Sequence, residues 1–117
     1  MGLKPVLVDV AALPSAARTA GTYTSDAVAN AGVATDVVML VHVSAATGTP
    51  TLNCSLEESA DGSSWTAIPG SATAQLTAAG NAMSNGAVTK NYVRATSTVA
   101  GTTPNVTYRI QFLIIPE

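Results

Sequence analysis

Two blocks of extended, alternating sequence separated by turn chemistry constrain this chain more than any other feature. Thr51-Leu-Asn-Cys-Ser-Leu-Glu-Glu-Ser-Ala-Asp-Gly-Ser-Ser-Trp-Thr-Ala-Ile68 reads as strand, Asp-Gly turn, strand. Tyr92-Val-Arg-Ala-Thr-Ser-Thr-Val99, Ala-Gly-Thr-Thr-Pro-Asn and Val106-Thr-Tyr-Arg-Ile-Gln-Phe-Leu-Ile-Ile115 repeat that grammar. Residues i, i+2 and i+4 of a strand share one face, so Leu52, Cys54 and Leu56 form an inward row. Thr51, Asn53, Ser55 and Glu57 then face outward. In the last strand Val106, Tyr108, Ile110, Phe112 and Ile114 form the inward row.

The rest of the chain follows the same pattern. Leu3 to Val10 alternates Val6, Val8 and Val10, and Pro5 is tolerable at an edge or a strand start. Thr19 to Ser25 is a Thr-rich strand. Asp36-Val-Val-Met-Leu-Val-His-Val43 is apolar on both faces, which predicts a central strand or one whose outer face meets a partner. Gly62 permits the φ > 0 turn of a hairpin, and Trp65 is expected to cap one end of the core. A short strand is predicted around Leu76, and Val88 to Val99 is read as one strand. Ala79 to Gly86 reads as turn. Helix signals are nearly absent: Pro14 interrupts Ala11 to Ala20, and Ala27 to Ala34 has no amphipathic stripe. The prediction is a single-domain, all-β antiparallel sandwich of seven to eight strands over residues 1–117, jelly-roll or Ig-like. Residues 1–14 form an N-terminal arm or edge strand.

Composition narrows the function. At 117 residues the chain is the size of one domain with its own core. Cys54 is the single cysteine, so an internal disulfide framework is excluded. Nothing at the start resembles a secretory signal, and no apolar run approaches the length of a membrane span. Only 10% of residues are charged, against about 25% in an average soluble domain. Thr, Ser and Asn supply the polarity, which suits either a surface covered in an assembly or simply a neutral, Thr-rich β surface. Lys4, Arg18, Lys90, Arg94 and Arg109 are scattered and the net charge is -2, so nucleic acid is not an expected partner.

Catalytic chemistry is not legible. His42 is the sole histidine and reads as a packed or rim residue within a strand. Cys54 lies on the apolar face of its strand with no basic neighbour to activate it. Glu57, Glu58 and Asp61 cluster before a turn, where solvating a hairpin tip is a simpler role than holding Ca²⁺ or hydrolysing a glycoside. Asn53-Cys-Ser and Asn105-Val-Thr match the glycosylation triplet, a frequent coincidence in Ser/Thr-rich chains. No catalytic residue, metal site or cofactor is predicted, and the expected role is structural or binding.

Several of these segments together resemble a known class. Ser15-Ala-Ala-Arg-Thr19 precedes Gly21-Thr-Tyr-Thr-Ser25. Val41-His-Val-Ser-Ala-Ala-Thr-Gly-Thr-Pro-Thr51, Glu57-Glu-Ser-Ala-Asp-Gly-Ser-Ser-Trp65, Tyr92-Val-Arg94 and Ala100-Gly-Thr-Thr-Pro104 through Tyr108 follow in order. From Arg18 to Ile115 the chain resembles small β-sandwich structural proteins encoded in the head genes of tailed bacteriophages, some of which are capsid decoration proteins. That resemblance implies a cement role on the outside of an icosahedral head, with the major capsid protein as partner and a homo-oligomer, favouring a trimer. It implies location in the virion, assembled in the host bacterial cytoplasm. With the apolar runs already noted, the expected interface residues are Leu3, Pro5, Val6, Leu7, Val38, Leu40, Leu113 and Ile115. A tail or baseplate component and a carbohydrate-binding or adhesion module are the competing readings. The second is weakened by the low aromatic content, 4% of residues.

Overall fold

The structure, a computed structural model, describes residues 8–29 and 35–116. The described residues form seven strands: β1 (Val8–Arg18), β2 (Gly21–Thr24), β3 (Val28–Ala29), β4 (Thr35–Ser59), β5 (Thr66–Ala67), β6 (Gly80–Val88) and β7 (Tyr92–Pro116). All pairings are antiparallel. β4 and β7, 25 residues each, pair along their whole length from Thr35↔Pro116 to Ser59↔Tyr92.

These two strands build both layers of a single-domain β-sandwich. Their first and last halves respectively form one layer, in the order β1, β7, β4, β6. Their remaining halves form the other, with β2 and β3 beside β7 and β5 beside β4. Between the layers the ladder bends at register shifts between Val43 and Ala45 and between Thr47 and Thr49.

The bend has a physical purpose visible in the burial pattern. Before it, β4 buries Val37, Met39, Val41 and Val43; after it, Leu52, Cys54 and Leu56. β7 likewise buries Val93, Ala95, Ser97 and Val99, then Val106, Tyr108, Ile110 and Phe112. The inward set changes from odd to even numbers in both strands. A one-residue bulge is what changes that parity while keeping apolar side chains on the core side. Gly48, Gly101 and Thr103 occupy the bend with φ of 76°, 112° and 44°. A Cβ on Gly48 would lie 2.2 Å from the Thr103 carbonyl oxygen, and one on Gly101 2.1 Å from that of Thr49. Two backbones therefore cross here at a distance that only glycine allows.

Several sequence expectations are corrected. Ala100 to Asn105 is not a turn between two strands: it is the corner of continuous β7. Val88 to Val99 is not one strand, because the chain breaks between β6 and β7 at Thr89–Asn91. Ala79 to Gly86 belongs chiefly to β6, paired in unbroken register with Thr35–Val43. Its Gly and Asn content suggested turns, but pairing with an apolar neighbour outweighs propensity. The Leu76 strand reduces to a bridge with Leu52. Trp65 is half-buried and does not cap the core. The Arg94 guanidinium lies 4.2 Å from its ring centroid while Arg94 Nε donates to Glu57 Oε1 at 2.9 Å.

The predicted inward rows hold for Leu52, Cys54, Leu56, Val106, Tyr108, Ile110 and Phe112, all buried. Arg18 is also buried, donating to the carbonyls of Tyr108 at 2.8 Å, Pro14 at 2.7 Å and Ala16 at 3.2 Å. It ties edge strand β1 to the centre of the sheet.

Candidate interaction face

The two outer faces of the sandwich differ in chemistry. Outside the β2–β7–β4 layer the register aligns Thr22, Thr98 and Asn53 in one row and Thr24, Thr96 and Ser55 in the next. This is a hydroxyl and amide surface, ending at the Glu57–Arg94 ion pair.

The other layer presents apolar side chains. Here the register puts Leu113, Val38 and Asn85 in one row, Gln111, Leu40 and Met83 in the next, and Arg109, His42 and Asn81 in the third. Val38, Leu40 and Leu113 are half-buried, and Met83 is 68% exposed. A shallow groove of about 370 Å³ runs across the last two rows. His42 Nδ1 lies 2.5 Å from Asn81 Oδ1, which fixes the ring at the polar end of the groove. The Val37–Val43 half of β4 is apolar on both sides because one side is the core and the other is this face.

Three of the predicted interface residues, Val38, Leu40 and Leu113, are thus brought together. The backbone of Ile115 pairs with Asp36 at the end of the same ladder. Leu3, Pro5, Val6 and Leu7 lie outside the described residues. Met83, Arg109 and Gln111 were not anticipated. The alternation Asn81, Met83, Asn85, Ala87 was the available signal, and the turn-like glycines at both ends of it concealed the strand.

The acidic cluster disperses into three structural roles. Glu57 pairs with Arg94. Buried Glu58 accepts from the Thr89 backbone N–H at 2.8 Å and its hydroxyl at 3.2 Å, joining the two layers. Asp61 Oδ1 accepts from the backbone N–H groups of Ser63 and Ser64 at 2.8 and 3.0 Å and from the Ser59 hydroxyl at 3.0 Å. These bonds, led by that from Ser64, hold its carboxyl below the usual range. Among the described residues, no three His, Cys, Asp or Glu side chains gather as a metal site would require. Cys54 is buried, and desolvation pushes its thiol up to about 12.

A chain in the structure of infectious bursal disease virus, Gx strain, superposes with a TM-score of 0.63 and 10% identity. The chains share a fold. The superposition covers 96% of this chain but 33% of the viral one, so this chain spans one third of the length of its match. A chain from the Gt strain aligns with a TM-score of 0.41 and 11% identity, over 97% of this chain and 42% of its own length. No family model and no curated protein sequence matches.

Proposed function

We propose that this protein is a non-catalytic structural component of a virus particle, specifically a decoration or cement protein on the head of a tailed bacteriophage. In this role it binds the outer surface of the shell, contacts the major capsid protein and holds neighbouring capsomers together. The observation that carries the reading is the apolar outer face of Val38, Leu40, Met83 and Leu113 on an otherwise weakly charged sandwich. Such a face loses free energy on contact with another apolar surface at roughly 25 cal/mol per Å² of area removed from water. A shell repeats the contact many times, so modest single affinities suffice. The fold shared with a chain of a virus structure supports a virion structural role; the tailed-phage head is the finer assignment that the segment resemblance implies.

The test is co-sedimentation of the purified protein with empty heads assembled from the capsid protein of the same genome, alongside a glycan array. Binding to heads that falls at least tenfold in Leu40→Asp, with folding retained, is the expected result. Glycan capture without affinity for heads overturns the proposal, and binding to tails alone moves the protein to the tail.

A further inference from the structure

Strand edges expose unpaired backbone N–H and C=O groups, and folded proteins ordinarily protect them with charge, proline, bulges or brevity. Three edges of this sandwich follow that rule. β1 carries Pro14 and has register shifts between Val10 and Leu13 and between Leu13 and Ala16. β2 and β3 are four and two residues long, and β5 is two.

β6 has none of these devices. It is nine residues of Gly, Asn, Ala, Met, Ser and Val with no charge and no proline. Its register with β4 runs unshifted from Thr35↔Val88 to Val43↔Gly80. Among the described residues it pairs with β4 alone. Ser84 Oγ donates to the Ser71 carbonyl at 2.7 Å and Ile68 packs against Gly86, so β6 is anchored from the core side. At about 3.3 Å per residue, that edge is roughly 30 Å long.

We infer that β6 is a self-association edge, pairing antiparallel with β6 of a second copy about a two-fold axis near Met83 and Ser84. The second copy is the fitting occupant because a two-fold axis sets each residue against its own surroundings. A charged edge would repel itself there; this one cannot. Met83 stands near the axis on the outer face, beside Leu40. Pairing therefore joins the apolar patches of two molecules into one continuous stripe across a merged sheet. The two-fold contact replaces the three-fold association that the phage resemblance implies. It does not depend on the particle-binding proposal, since it concerns the isolated protein.

Sedimentation equilibrium of the full chain over a micromolar to millimolar series tests this. A monomer–dimer equilibrium is expected. Asn85→Lys, which places like charges close to the axis, is expected to weaken it at least tenfold, while Asn85→Thr and Asn53→Lys on the opposite layer leave it unchanged. Met83→Cys, which faces its own copy across the axis, is expected to form a disulfide-linked dimer on mild oxidation, which also serves if Asn85→Lys folds poorly. A protein monomeric throughout the series overturns the inference. So does a trimer, or a dimer that Asn85→Lys leaves intact and Met83→Cys fails to trap.

Discussion

The hydroxyls of Ser97 and Tyr108 meet at 2.6 Å, although both residues belong to β7 and lie in opposite layers of the sandwich. Ser97 Oγ also donates to the Tyr23 carbonyl at 3.1 Å, which leaves it to accept the Tyr108 proton. Above the Tyr108 ring, 4.6 Å from its centroid, lies the Arg18 guanidinium. A single strand is thus clasped to itself across the core. Burial raises the Tyr108 pKa, so the phenol remains the donor at neutral pH.

Tyr108→Phe removes this donor and leaves Ser97 Oγ short of a partner in the core. The expected loss is about 1 kcal/mol. For a domain of this size that corresponds to a melting temperature lower by roughly 3–6 °C. A thermal melt followed by circular dichroism reads it; an unchanged midpoint would show that the clasp contributes nothing.

The corner makes a sharper demand. Gly101→Ala would drive a Cβ into the Thr49 carbonyl from a backbone with φ of 112°. We expect a loss of about 3 kcal/mol or more. Gly70 has φ of 75° but no atom within 4 Å of its would-be Cβ, so Gly70→Ala should cost only about 1 kcal/mol. Urea denaturation of both variants separates close backbone approach from dihedral preference.

Asp61 governs part of the acid response. Its carboxyl titrates lower in the folded protein than in the unfolded chain, where about 3.9 is usual. Its stabilising contribution is complete above that unfolded value and disappears as pH falls through the folded one. Asp61→Ala should therefore be less stable than the parent at pH 7, with the difference narrowing as the pH is taken below 4. Denaturation midpoints measured across that range check the sign, and a gap that widens on acidification contradicts it.

Cys54 should be silent to thiol reagents in the native state. With the thiol near 12, only roughly one molecule in ten thousand carries the thiolate at pH 8, and the sulfur is buried besides. Modification by a chromogenic disulfide should track unfolding by denaturant. Rapid labelling in buffer alone would place the side chain at the surface.

Much of the architecture is legible in alternation. The inward rows of Leu52–Leu56 and Val106–Phe112 can be read directly, because a strand's period of two assigns each side chain a face. The doubly apolar run at Val37–Val43 likewise announces both core and outer face. Strand identity at β6 was hidden, since its glycines and asparagines favour turns locally and become a strand only beside β4. Trp65 was misplaced for a related reason: its partner Arg94 lies far off in sequence.

By itself the sequence determined that the chain is β throughout, which residues alternate, and that charge is scarce. Tertiary structure alone decided that Val43 and Leu52, or Val99 and Val106, belong to single strands bent through a corner. It also decided which outer face is apolar and which edge is left open. Local propensity acts over a few residues, whereas layer, face and edge are fixed by pairing between segments tens of residues apart, and no local pattern encodes the partner.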